Sequence, residues 1–198
     1  MKRTGMVVLA VIAVLVIIGL LVFGSYISAR NQMVAKNEQV KQTWSQVEVV
    51  MQRRADLIPN LVATVQGFAA HETTVFADIA NARSALLGAR GNPKSEIAAN
   101  GQLDGALGRL LAISENYPQL RSNQNFLQLQ DELAGTENRI AVERRRYNQS
   151  LQDYNTFIGL FPNSIWAGIA GYKRNDAYFA ASPGAQQVPK VAFPAATQ

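Results

Sequence analysis

Met6 to Phe23 is an unbroken run of 18 residues with no charge and no hydrogen-bonding side chain, and no other feature of the chain is as restrictive. As a helix this run spans roughly 27 Å, or roughly 33 Å if it continues to Ile27; a bilayer's hydrocarbon core is about 30 Å thick. Inside lipid the backbone must satisfy its own hydrogen bonds, so such a segment has to be helical. Tyr26 then falls at the far interface, where both its ring and its hydroxyl are accommodated. A cleaved signal peptide is the competing reading, since Lys2 and Arg3 make a charged leader. The apolar part of a signal peptide is about 7–15 residues, and the best small-x-small site on offer, Val22-Phe23-Gly24, is poorly formed. The expectation is an uncleaved signal-anchor over residues 1–28. Positive-inside logic places its amino terminus in the cytoplasm and the following domain outside, with a cytoplasmic domain as the alternative.

Charge argues against a nucleic-acid partner. Lys and Arg number 19 against 14 Asp and Glu, but Lys2 and Arg3 belong to the anchor, which leaves only +3 elsewhere. The chain has no Cys, which excludes disulfides, thiolate nucleophiles, iron–sulfur clusters and Cys-based zinc sites. Its single His, His71, excludes multi-His metal sites. No metal or cofactor is expected.

Beyond the anchor there is no strand-like alternation and no hairpin signal, so the remainder reads as all-α. A 4-3 seam runs through Met33, Asn37, Val40, Trp44, Val47, Met51, Arg54, Ile58, Leu61, Val65 and Phe68. It passes Pro59, which removes the hydrogen bond to the carbonyl of Ala55 and predicts a kink rather than a stop. A second seam repeats every seven residues from Phe126 through Leu133, Ile140, Tyr147 and Tyr154 to Phe161, and is closed by Pro162. Two shorter helices fit between, about Thr74 to Leu87 and Ser95 to Tyr117, with Ser95 as the expected N-cap. Gly101, Gly105 and Gly108 weaken the third helix and suggest close backbone approach or fraying.

Lengths then choose the topology. The first helix beyond the membrane, to about His71, and the last, Gln124 to Phe161, are each roughly 60 Å long, and the middle two are about half that. The expected fold is a single transmembrane helix followed by an antiparallel up-down four-helix bundle over residues 29–172. The turn near residues 71–74 lacks a strong Gly or Pro signal. Closure of the bundle brings Phe161, Trp166 and Tyr172 back to the bilayer beside Tyr26, as an interfacial patch; capping of the bundle core by Ile165 and Trp166 is the alternative. Residues 173–198, rich in Ala, Pro, Gly and Gln, read as a disordered tail.

Several ordered motifs in this sequence resemble the LemA family. They are Thr43-Trp44-Ser45-Gln46-Val47, Gln52 to Val62 with Arg53-Arg54-Ala55-Asp56 and Pro59, Gly67 to Glu72, Glu115-Asn116-Tyr117-Pro118, Gly135 to Ala141, and Arg144-Arg145-Arg146-Tyr147-Asn148. The resemblance covers nearly everything from the anchor to about Tyr178. It implies a single-pass bacterial membrane protein with a helical-bundle domain, hence an inner-membrane location, and it implies no reaction.

The densest ionic cluster joins Arg53, Arg54 and Asp56 to Glu137, Arg139, Glu143, Arg144, Arg145 and Arg146. Arg54 and Glu143 occupy seam positions, where an unpaired charge would be costly. The expectation is an ionic layer of Arg53, Arg54, Asp56, Arg139 and Glu143 that sets helix register; a broad, solvated seam is the alternative. Catalytic use of these groups is disfavoured, because Glu and Arg at three- and four-residue spacing are mostly solvated helix pairs. Arg144-Arg145-Arg146 point in three directions around a helix and form no stripe. Partnership with the lipid bilayer follows from the anchor, and the seams allow homo-oligomers or an envelope protein partner. The function expected is a scaffold or adaptor, with an enzyme or enzyme regulator using the Arg/Glu layer as the competing class.

Overall fold

The computed structural model describes residues 2–180. Six helices follow one another: α1 Lys2–Gln66, α2 Thr73–Gly88, α3 Pro93–Ser114, α4 Pro118–Arg121, α5 Gln124–Gly159 and α6 Asn163–Ala170. Among the described residues there is no strand. The apolar N-terminal run and the seam that follows it lie on one rod of 65 residues, α1, about 98 Å long. Its apolar N-terminal part is exposed along the whole run, and α1 is long and apolar enough to cross a membrane.

α5 runs antiparallel to α1. Trp44 meets Tyr147, Thr43 shares a 2.7 Å hydrogen bond with Ser150, and Arg54 faces Glu137, so α1 numbers rise as α5 numbers fall. The seams read from the sequence are the ones buried: Met33, Val40, Trp44, Val47, Met51, Ile58, Leu61 and Val65 on α1, and Phe126, Leu133, Ile140, Tyr147 and Tyr154 on α5. α2 and α3 form a second antiparallel pair, in which Arg109 reaches Asp78 at 2.8 Å. This hairpin lies beside the distal part of α1.

Pro59 sits inside α1 without breaking it. The carbonyl of Ala55, which Pro59 cannot serve, accepts instead from Nε of Arg83 on α2 at 2.8 Å. The defect in one helix thereby becomes a docking point for another.

Several boundaries differ from expectation for local reasons. α1 ends at Gln66 rather than near His71. There the N–H groups of Phe68 and Ala69 both turn back to the Val65 carbonyl, and Ala69, not Phe68, takes the buried place. His71 is exposed in the turn that follows. α3 is capped by Asn92, whose side chain accepts from the Ser95 N–H at 3.2 Å, with Pro93 in the first turn. Gly101, Gly105 and Gly108 are exposed, and a Cβ at any of them would meet nothing within 4 Å, so close backbone approach is not their reason.

The expected tail begins too early. Residues 172–180 are neither helix nor strand, lie along α5 and are held by side-chain hydrogen bonds; the composition that suggested disorder starts only after them. Residues 181–198 lie outside the described residues.

Candidate functional site

At its C-terminal end α5 passes Lys36, which lies over the Phe157 ring, and stops at Gly159, just before Leu160 and Phe161. α6 then turns back across α1, and the Trp166 ring packs edge-on against Tyr26 with centroids 5.6 Å apart. Phe161 is 82% exposed, and Leu160, Ile165 and Ile169 are exposed with it. Four large apolar side chains thus face outward on the segment that carries the chain from the end of α5 to Tyr26. Trp166 and Tyr26 are half-buried against each other, while the Trp166 indole N–H has no partner. Tyr172, also half-buried, follows Gly171, whose φ of +78° makes the sharp exit from α6. The structure therefore brings Trp166 to Tyr26, sets Phe161 outermost, and tucks Tyr172 against the core.

A second feature lies higher on the rod. Arg54 is 7% exposed. Its guanidinium pairs with Asp104 of α3 and, at 2.9 Å, with Glu137 of α5. Arg144 stands 3.5 Å from Asp104 and 3.9 Å from Glu137, and Asn100 donates to Asp104 at 3.1 Å. Two arginines and two carboxylates alternate, joining α1, α3 and α5 at one level. Of the residues expected in this layer, only Arg54 is there. Arg53, Asp56 and Arg139 are exposed, with Asp56 bonded to Gln52, and Glu143 pairs with Arg146 one turn along its own helix. Asp104 was missed because it lies on the third helix, flanked by glycines, where one-dimensional spacing shows no link to Arg54.

The arginine triplet does divide three ways. Arg144 turns into the layer, Arg146 pairs with Glu143 at 2.9 Å, and Arg145 and Arg146 line a shallow groove with Lys36, Gln149 and Asp153.

One further carboxyl is unusual. Glu96 is buried where α3 begins, accepts from the Gly91 N–H at 2.9 Å, and faces Glu48 of α1. Burial first, and then the Glu48 charge, push its pKa up to about 7, against the pull of the Gly91 N–H and Arg90. Burial likewise pushes the Tyr147 hydroxyl up to about 12.

The segment 172–180 was not anticipated as part of any site. Asn155 accepts from the Asn175 N–H at 3.0 Å and donates to its carbonyl at 2.6 Å; Asn148 does the same for Phe179, at 3.0 and 2.8 Å. The signal available in the sequence was two asparagines one heptad apart beside the α5 seam, a residue type with poor helix propensity.

The geometry can be set beside known proteins. Magnetosome protein MamQ of Magnetospirillum gryphiswaldense is 32% identical over 178 aligned positions, covering 77% of this chain and 65% of that protein. Magnetosome protein MamQ 1 of Paramagnetospirillum magneticum is 31% identical with the same coverage. Protein LemA of Metamycoplasma hominis is 23% identical over 136 positions, 69% of this chain and 62% of the relative. The chain thus spans about two thirds or less of these curated relatives' lengths. The sequence model of the LemA family matches residues 43–193, from the α1 seam at Trp44 through the α5 seam and beyond residues 172–180, and this all-helical chain with its apolar N-terminal helix belongs to the LemA family.

Proposed function

We propose that this protein is a single-pass, membrane-anchored four-helix bundle that works by binding, as a scaffold or adaptor at the bacterial inner membrane, with its amino terminus in the cytoplasm and its bundle outside. The observation that carries the reading is the return of the chain to the apolar helix: Trp166 lies against Tyr26, and Phe161, Ile165 and Ile169 around it in sequence are exposed. Apolar side chains of this kind beside a spanning helix suit the headgroup boundary. They would seat the domain on the lipid at two points and fix the tilt of the rod. The charges of the Arg54 layer answer one another across three helices, which suits register setting rather than proton transfer.

The test uses the full chain in lipid nanodiscs, with Trp44→Phe leaving Trp166 as the reporter. Brominated lipids are expected to quench Trp166 most strongly when the bromine lies near the headgroups. Emission insensitive to every bromine depth would overturn the seating. Proximity labelling from the same full-length protein in cells tests the adaptor role: the reading fails if labelling is no different from that of the anchor alone.

A further inference from the structure

Residues 173–179 are held as a bound peptide is held. Their backbone forms no ladder with another strand; side chains of α5 grip it instead. Asn155 and Asn148 each engage both the N–H and the carbonyl of one residue, Asn175 and Phe179. The Tyr154 hydroxyl donates to the Lys173 carbonyl at 3.0 Å, and Asn155 also donates to the Tyr178 hydroxyl at 2.8 Å. The two gripped residues lie four apart on the segment and the two gripping asparagines one heptad apart on α5, so the segment passes along the helix in the opposite direction.

At the second clamp Phe179 enters an aromatic box. Its ring stacks on Trp44 at 6.0 Å, stands edge-on to Tyr147 at 6.0 Å, and carries the Arg144 guanidinium 5.0 Å from its centre. The fit is incomplete. The Trp44 indole N–H and the Tyr147 hydroxyl are both buried without a hydrogen-bond partner, on side chains 7% and 0% exposed. A phenyl ring has nothing to offer them, and a buried polar group left unpaired is a standing penalty. Trp44 and Tyr147 are therefore better suited to a guest other than the one they hold.

We propose that the α1–α5 groove formed by Trp44, Arg144, Tyr147, Asn148 and Asn155 is a receptor for an extended peptide of a partner protein, and that residues 173–179 are its intramolecular placeholder. The preferred guest presents an aromatic side chain with a hydrogen-bonding tip, as tyrosine does, at the place of Phe179. Asn148 reads backbone alone, Asn155 reads backbone and the Tyr178 hydroxyl, and the box and Arg144 select the aromatic. Gly171, with its positive φ, is the hinge about which the placeholder leaves. This deepens the adaptor reading by naming what is adapted, and it rests on that reading for its meaning in the cell.

Peptide binding is measured on the full-length chain in detergent, so its failure leaves the membrane seating untouched. Two fluorescein-labelled peptides serve as probes, one with the sequence of residues 172–180 and one carrying F179Y. The N175P/F179A variant of the full chain, which loosens the placeholder, is expected to bind the tyrosine peptide at least tenfold more tightly than the unaltered chain does. The tyrosine peptide should bind it about fivefold more tightly than the phenylalanine one. Adding Asn148→Ala and Asn155→Ala should weaken binding at least tenfold. In the unaltered background F179Y should raise the melting temperature by about 2–4 °C. No binding by a loosened chain of unchanged helix content overturns the proposal, as does binding indifferent to the asparagines. A phenylalanine peptide that binds as well, or an F179Y chain that melts lower, overturns the choice of guest. Dimers formed by the loosened variant on sizing would make a second copy the occupant and overturn the foreign partner.

Discussion

Arg54 shows how much one side chain can be asked to hold. It faces Asp104 and Glu137 from two other helices, so Arg54→Ala leaves two carboxylates opposed with only Arg144 between them. Urea unfolding of the full chain in detergent should show a loss of about 2–3 kcal/mol, reduced from the fully buried case because both carboxylates are partly solvated. A loss below about 1 kcal/mol would mean the layer is a solvated surface network. Glu96 gives a pH signature. Its folded pKa, about 7, lies above the ordinary 4.5 because burial and Glu48 both disfavour its charge. The stability it confers is complete below the ordinary value and is lost as pH rises through 7, when the folded chain must hold a second negative charge beside Glu48. Melting temperatures should fall between pH 4.5 and 7.5, and Glu96→Gln should flatten that fall; an unchanged slope would remove Glu96 from the account.

At the scale of the helix, the exposed glycines of α3 and the proline of α1 make opposite predictions. Gly101, Gly105 and Gly108 face open space, so each Gly→Ala change should stabilise by about 0.5–1 kcal/mol, chiefly by narrowing the unfolded ensemble. A destabilised triple variant would show that the backbone there serves a contact. The Pro59 site is a shared one: Arg83→Ala should destabilise by about 1–2 kcal/mol by leaving the Ala55 carbonyl unserved. In Pro59→Ala the helix serves that carbonyl itself, and the penalty for losing Arg83 should shrink. A double-mutant cycle with no coupling would disprove the link. The helix seams themselves were legible, because a heptad pattern reports which face must leave water whatever lies opposite. The end of α1 was not: Gly67 follows its last residue, but the 4-3 seam carries on past it to Phe68, so periodicity runs through the point where the N–H groups of Phe68 and Ala69 turn back to Val65.

For the molecule as a whole, the rod must return to its own foot. Replacing Phe161, Ile165 and Ile169 with Ser should change the unfolding free energy in detergent little, within about 0.5 kcal/mol per site, since all three are exposed. In nanodiscs the same variant should abolish headgroup-level quenching of Trp166, and unchanged quenching would remove these three side chains from the proposed seating. Read alone, the amino-acid sequence determined the apolar N-terminal helix, the all-helical class, the seams of α1 and α5 and the proximity of Trp166 to Tyr26. These follow from hydrophobic period and helix length, which are properties of one dimension. Only the tertiary structure decided that Arg54 answers Asp104 rather than Glu143, that Arg83 repairs the gap at Pro59, and that residues 173–179 lie clamped by Asn148 and Asn155. Those pairings join residues 28 to 50 positions apart, or a segment without regular structure to a helix. Polar partners are chosen by rotation and height between packed helices, which no periodicity along a single chain encodes.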